Sequence, residues 1–585
     1  MLVPRDLSVL EPLQRAYAEG LAPQNARIEA MFATAIADAR AEALAAPHDA
    51  ALWRKLAKLL ARSGQPDASV AALIEGTERA EPEPSLWWRT VGRLFTAGRG
   101  DEALEFAHRA DALFPDDLRF WIVQYVGFPA VLTSARALER WTHQLTAGLT
   151  ALLAGDSRLD EASPAALLAA VADLNIFYAD YLPRNTRDWH EQWSGFVRAV
   201  VARALPAVPP PDSAPRDQRS RVAFVSEVLR EHIVGFLFQS WARDLDPSRF
   251  EVLCYACHDV TDHESAKWEG FATRFVRSNY SAELAEAIRT DAPDVIVYLA
   301  VGMSPAIAEL AAQRLAPVQC AAWGHPVTTG LPTIDYFLSA DAVEPVGAEE
   351  YYSERLVRLP GMAVCFELPA LLQPLHVLRR ADFGLGDDDM VFACTQSGSK
   401  FLPAFDDVMI AIARELPESK FVFTLGGQLW GSALLRRISD AFARAGLDWS
   451  RHGVELPELN PTEFRNLLSV SDALLDSHGW TAGYTALDAI ACGLPIITTM
   501  GGPFRTRQAG AMLTLMGETR TIAADVAGCV AVATRLARDS AFRASVRARL
   551  LDPEARRVLC DNPRCIPALE RFLTDAVDAV RPAGG

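Results

Sequence analysis

The segment LLDSHGWTAGYTALDAIACGLPIITT, residues 474–499, gathers the densest set of chemically able residues in this 585-residue chain. Its spelling predicts a buried strand ending at Asp476, a loop of small residues, and a helix opening at about Tyr484. That helix should run to Gly493, ahead of a Pro-led strand. Thr485 and Asp488 stand at capping-box spacing, with Asp in place of the usual Glu. Such a turn aims free backbone N–H groups and the positive end of a helix dipole out of the carboxyl edge of a parallel sheet. A diphosphate suits that geometry. The same spelling also fits an ordinary strand–loop–helix crossover in which Thr485 and Asp488 only cap.

Cysteine offers less. Cys254 and Cys257 form a C-x-x-C inside the strand-like run FEVLCYAC, with no second pair at ligand spacing, so zinc is not expected there. The nine cysteines are odd in number and thinly spread, which reads as reduced thiols rather than a disulfide framework.

The elements that must hold this chemistry are legible from composition and periodicity. Half the residues are hydrophobic and 22% are charged, a globular balance that excludes wholesale disorder. The formal charge of −17 argues against generic partnership with nucleic acid or anionic lipid. No stretch approaches the roughly 20 apolar residues of a membrane span. The opening MLVPRDLSVLEP lacks a basic-then-apolar design, so a cytoplasmic address is expected.

Trp53, Trp87 and Trp121 recur every 34 residues, and Gly64/Gly98 and Asp67/Asp101 keep the same interval. Helix, glycine turn, helix and Pro/Asp stop at that period resemble tetratricopeptide repeats, which stack into a solenoid. This predicts a repeat domain over 1–145, a helical spacer over 146–205, and a stiff Pro-rich linker over 206–218. Beyond it, apolar strand runs alternate with helices: RVAFVS, FEVLCYAC, DVIVYLA and PVQCAAW, then MVFACTQ, KFVFTLG, VELPEL, ALLDSH and LPIITT. Two Rossmann-like lobes follow, 219–375 and 376–585, the second ending in a helix long enough to cross back. The fold class is therefore α plus α/β, with ligands expected between the lobes at the carboxyl ends of their strands.

Several segments, in order, look like one family. FVSEVLREHIVGF, RLAPVQCAAWGHPVTTGLPTIDYFLSAD and YYSERLVRLPG precede ACTQSGSK and DSHGWTAGYTALDAIACGLPIITTMGGPFRTRQAGAML. Together they resemble the catalytic region of the O-GlcNAc transferase and SPINDLY family of inverting glycosyltransferases, over about residues 219–575. That family also carries tetratricopeptide repeats ahead of its catalytic lobes. The resemblance implies a GT-B fold, a nucleotide-sugar donor of UDP type on the second lobe, and a protein acceptor presented by the repeats. It implies no metal or other cofactor.

By position, Lys400 matches the family lysine on the donor diphosphate, where a cation offsets charge developing on the leaving nucleotide. Gln396 and Ser397 flank the place of a family residue near base or phosphate. Tyr484, Thr485 and Ala486 fall where the phosphate-binding helix begins, and Asp488 matches an acid expected at the ribose. Arg507 matches an arginine with a supporting role. His232 matches a cleft histidine suited to proton handling. His325, Thr328 and Thr329 fall at another strand end, with His325 expected to meet acceptor or sugar. Animal family members have His-Thr-Thr where this chain has Gly483-Tyr484-Thr485, which leaves the donor sugar open; His478, earlier in the loop, either replaces the lost contact or caps the strand.

The expected activity is metal-independent transfer of a sugar from UDP-GlcNAc or a related donor to Ser or Thr of a protein. His232 or His325 is the candidate base. Transfer to asparagine, as in bacterial enzymes that glucosylate it, is an alternative. Another is modification of flagellin with a different nucleotide sugar. A separate class is a non-catalytic repeat scaffold, and the repeats leave room for an oligomer. Two signals are discounted: Asp387-Asp388-Asp389 spells a metal-binding DxD but precedes its strand, and Gly426-Gly427 only ends one.

Overall fold

The computed structural model describes residues 30–205, 219–368 and 378–580. The Pro-rich linker expected over 206–218 lies outside them, as does the amino-terminal stretch read for a targeting signal.

Two helical hairpins stand in register, Ala50–Arg62 with Pro66–Arg79 and Pro84–Thr96 with Gly100–Leu113. Each first helix buries its tryptophan, Trp53 and Trp87. Each turn closes on a glycine at positive φ, +75° at Gly64 and +73° at Gly98, a conformation that only glycine takes without strain. The third unit departs: Leu118–Val126 buries Trp121, but the connection over 127–134 lengthens before Ala135–Leu153. Ser134 caps that helix, its Oγ accepting from Ala137 N at 3.1 Å. One apolar stripe (Trp141, Leu145, Leu149, Leu152) then runs on without a break. The helix crosses residues 145 and 146, so the boundary expected there falls inside one continuous helix. The spacer continues as Pro164–Ala172, a 3-10 turn at Phe177–Tyr181, and Arg187–Ala204.

Both lobes are wholly parallel sheets. The first comprises β1 (Ser220–Ser226), β2 (Phe250–Ala256), β3 (Arg274–Arg277), β4 (Val295–Tyr298), β5 (Val318–Ala322), β6 (Tyr336–Ala340) and β7 (Arg355–Leu359), in the order β3-β2-β1-β4-β5-β6-β7. The second comprises β8 (Met390–Ala393), β9 (Ser419–Gly426), β10 (Gly453–Pro457), β11 (Ala473–Leu475), β12 (Ile496–Thr499) and β13 (Ile522–Ala523), in the order β10-β9-β8-β11-β12-β13. The central strands are buried on both faces, as helices packed on either side require.

The modules are knitted together. The terminal helix Cys565–Val580 returns to the first lobe, where Glu570 accepts from Asp246 N at 2.8 Å and from Arg249 Nη1 at 3.0 Å. The repeats dock on the second lobe. Asp67 accepts from Ser432 Oγ at 2.8 Å, and Arg437 donates to the Leu132 carbonyl at 3.0 Å. The main apolar core runs from Val70 in Pro66–Arg79 to Val577 in the last helix.

Candidate active site

Strands β8 and β11 are neighbours, so the loops that leave them meet at the carboxyl edge of the second sheet. Asp476 stands just after β11 and is fully buried. Its Oδ1 accepts from Gln396 Nε2 at 2.6 Å and from Ala482 N at 2.7 Å; its Oδ2 accepts from Thr498 Oγ1 at 2.6 Å. Gln396 also accepts from Ser477 N at 3.2 Å, which ties the two strand ends together. Burial pushes the Asp476 carboxyl up to about 6, while these hydrogen bonds and Lys400 pull it back. Ser397, partly exposed, leads into the 3-10 turn Gly398–Lys400.

That turn delivers Lys400 to the loop after β11. Its Nζ lies 3.4 Å from the Thr481 carbonyl and 5.8 Å from the Trp480 ring centroid. Desolvation lowers the ammonium to about 8, with Asp476 opposing the drop. At neutral pH it is a cation with hydrogen-bond donors to spare.

Three residues beyond Thr481 the helix Tyr484–Cys492 opens on Gly483, with no side chain capping it. This corrects the capping box expected at Thr485 and Asp488. The helix begins one residue before Thr485, which places that hydroxyl inside the first turn. Asp488 faces Arg465, with Nε 3.7 Å from Oδ1, and burial pushes its carboxyl up to about 6. An uncapped first turn leaves its N–H groups for another partner. Ala486 is buried beneath it. The Tyr484 ring approaches Phe236 of the first lobe at 6.3 Å between centroids. His478 packs within its own lobe, edge-on to Phe405 at 5.5 Å and 3.7 Å from Cys529 Sγ. Arg507 spans the lobes by donating to the Val343 carbonyl at 2.7 Å.

On the first lobe, His232 caps the short helix Ile233–Leu237, its Nδ1 accepting from Val234 N at 3.2 Å. A neutral ring that accepts at Nδ1 carries its proton on Nε2 and presents a donor there. Burial, with Arg230 adding to it, lowers this imidazole and keeps it neutral.

His325 is a correction. Its ring is only 1% exposed, too enclosed to touch an acceptor or sugar. Nε2 lies 3.1 Å from Asp180, whose other oxygen is 2.7 Å from His190 Nε2; both partners belong to the helical spacer. Phe177 stacks on the ring at 5.5 Å and Trp480 lies tilted against it at 5.7 Å. Thr328 and Thr329 are a second correction. Both are buried and spend their hydroxyls on Glu354, Thr328 at 2.6 Å and Thr329 by a shorter contact, so they brace the loop instead of facing the cleft.

The discounted signals behave as turns. Asp389 accepts from Gly386 N at 2.7 Å ahead of β8, and Gly426 ends β9 with Gly427 at φ +80°. Among the described residues no group of three or more His, Cys, Asp or Glu gathers as a metal site. No helix among them is long and apolar enough to cross a membrane.

Residues 199–367 match the family described as glycosyl transferase family 41. The chain is 26% identical over 318 residues to a protein of Arabidopsis thaliana named probable UDP-N-acetylglucosamine–peptide N-acetylglucosaminyltransferase SEC, covering 51% of this chain and 31% of that one. Against the similarly named SPINDLY protein of Petunia hybrida, identity is 24% over 357 residues, covering 60% and 38%. A solved mutant of the Thermobaculum terrenum O-GlcNAc transferase superposes over 99% of this chain and 100% of its own, with a TM-score of 0.67 at 22% identity. Over these spans the chain resembles the O-GlcNAc transferase and SPINDLY proteins. Its fold is GT-B, and it spans between about three and four tenths of the length of those two plant relatives.

Within this O-GlcNAc transferase/SPINDLY-like fold, the structure adds residues that sequence reasoning passed over. Asp476 was legible only as a strand end, although an acid closing a buried strand is itself a signal. Asp180, His190 and Glu354 carried none: Asp180 pairs with His190 ten residues on and with His325 145 residues on, and Glu354 takes hydroxyls from another loop. Trp480 sits in the quoted loop, but nothing in its spelling announces the lysine above it.

Proposed function

We propose that this chain is an inverting glycosyltransferase that moves a sugar from a nucleoside-diphosphate donor to a hydroxyl of a protein. One observation carries the reading: Lys400 stands over the loop that opens an uncapped helix, a cation and aimed amides converging at one sheet edge. The diphosphate lies between them. As the sugar–oxygen bond breaks, Lys400 and the amides near Thr485 take up the charge left on the nucleotide, the role a divalent ion fills in other transferases. Asp476 and Gln396 fix the loop that holds Lys400. The acceptor oxygen attacks the anomeric carbon from the opposite face and its proton passes to an oxygen of the departing phosphate, while the lobes' contact at Phe236 and Tyr484 brings His232 toward that space. His232 orients through its Nε2 proton. The acceptor protein docks on the repeats, and UDP is the expected nucleotide.

The test is a thermal-shift series with UDP, GDP and CMP on the native chain and on Lys400→Ala, followed by intact mass of an acceptor co-expressed with each. One nucleotide should stabilise the native chain. Lys400→Ala should keep its melting temperature, lose that response, and transfer at least about a hundredfold more slowly. A folded Lys400→Ala that still transfers sinks the reading, and no response to any nucleotide favours the scaffold.

A further inference from the structure

The helix Pro84–Thr96 packs one face into the core and leaves the other open. Ser85, Trp88, Arg89, Gly92, Arg93 and Thr96 lie along that open face, lining a groove of about 400 Å3. Arg119 closes one side, its guanidinium carbon 5.1 Å from the Trp88 ring centroid, and it is neutralised by Asp117 and Asp173 at 2.7 Å each. Arg89 and Arg93 are not. Neither meets a carboxylate among the described residues, and they sit four residues apart, where like charges on a helix repel. Arg93 is also partly buried, and that burial together with the charge of Arg89 depresses its guanidinium. Two cations placed one turn apart on an acidic chain, without counter-ions, cost stability until an anion arrives.

A line of packed side chains joins the end of this groove to the candidate active site. Thr96, at its end, lies beside the Tyr178 hydroxyl. Tyr178 stacks on Tyr181 at 6.4 Å, Tyr181 lies 4.9 Å from Trp480, and Lys400 stands over Trp480.

We infer that this groove docks an acidic segment of the acceptor protein, with Arg89 and Arg93 on its carboxylates and Trp88 against its apolar side chains, so that the chain beyond it reaches the cleft. The inference rests on the proposed transferase reading and names the chemistry of its acceptor.

The test uses the full chain and a fluorescein-labelled Glu–Ser peptide, with a Gln–Ser peptide as its neutral counterpart, read by anisotropy. The acidic peptide should bind at least tenfold more tightly than the neutral one, and weaken as salt rises. Arg89→Glu with Arg93→Glu should reduce its binding at least tenfold and admit a Lys–Ser peptide that the native groove repels. The UDP thermal shift should stay unchanged in that variant. If the doubly reversed chain melts early, Arg89→Gln with Arg93→Gln replaces it, with the same expected loss for the acidic peptide. Binding that ignores peptide charge, or is indifferent to both double variants, overturns the inference. A charge-selective groove on a chain that ignores every nucleotide would instead sink the transferase reading and leave the docking surface standing.

Discussion

Lys400 and Asp476 are held at the ends of neighbouring strands, and each moves the other toward its charged form while burial moves both away from it. The carboxylate keeps the ammonium protonated near neutrality, yet its oxygens are already taken by Gln396, Ala482 and Thr498. Lys400 therefore has a counter-charge nearby without being locked into an ion pair. A diphosphate entering such a site completes the coordination of a cation that is already desolvated, so little reorganisation opposes binding.

A pH dependence arises directly. Lys400 titrates near 8 in the free chain, and only its protonated form attracts a diphosphate. UDP affinity should fall about twofold from pH 7 to 8 and then approach a tenfold fall per unit as the proton must be taken up on binding. Asp476→Asn removes the charge that raises Lys400, so the decline should begin at lower pH. Isothermal titration across pH 7–10 checks both, and an affinity that is level to pH 10 refutes the assignment.

His232 gives a prediction that separates donor from base. Because Nδ1 already accepts from Val234 N, the working group is the Nε2 proton. Glutamine supplies an N–H of similar reach and no base. His232→Gln should therefore keep kcat within about tenfold, whereas His232→Ala, which removes the donor, loses on the order of a hundredfold. Equal losses in the two variants would mean that the ring takes up a proton.

What the sequence revealed and what it hid have a common physical cause. In a parallel sheet every strand's carboxyl end faces the ligand edge, so the opening of the helix at Tyr484 could be located from strand order and local spelling, while Gln396 and Lys400 came from the family resemblance. Side-chain direction obeys no such rule. Thr328 and Thr329 occupy the right edge yet turn to Glu354, and His325 turns to Asp180, 145 residues away in another module. The capping box failed because the chain turned helical at Tyr484, one residue too early for Thr485 to cap. β3 and β7 are edge strands with arginines on them, RFVR and RLVRL, which blurs the apolar run that marks an inner strand. β13 has only two residues, too few to show any period.

Asp180 should prove a structural keystone. Burial alone would raise it, but His190 and His325 hold its carboxyl well below the usual range. Asp180→Ala leaves two enclosed imidazoles unsatisfied, at roughly 1–3 kcal/mol apiece. The acid behaviour has a definite sign. His325 is depressed by burial, so the unfolded chain binds its proton more readily, and stability is lost as pH falls below about 6.5. Asp180 adds a further loss only below its unfolded value near 3.8. Urea denaturation at pH 7 and pH 5 should show native stability dropping and His325→Phe dropping less; an equal drop in both would clear His325 of the effect.

Arg437 tests how firmly the repeats are fastened to the donor lobe. It is 5% exposed, grips Asp406 through two nitrogens at 2.9 and 2.8 Å, and spends a third on the Leu132 carbonyl. Arg437→Met strands a buried carboxylate, which costs about 3–5 kcal/mol. Adding Asp406→Leu removes the stranded charge and should recover most of that loss, leaving only the orphaned carbonyl. The single variant also carries a pH signature. Burial already raises Asp406 and Arg437 is the charge that opposes it, so without Arg437 the folded chain holds a proton that the unfolded chain releases. Its deficit should shrink as pH falls from 7 to 5, because protonation neutralises the stranded group. A deficit equal at both pH values would mean that the carboxylate was never the cost, and that the seam depends on the repeat carbonyl instead.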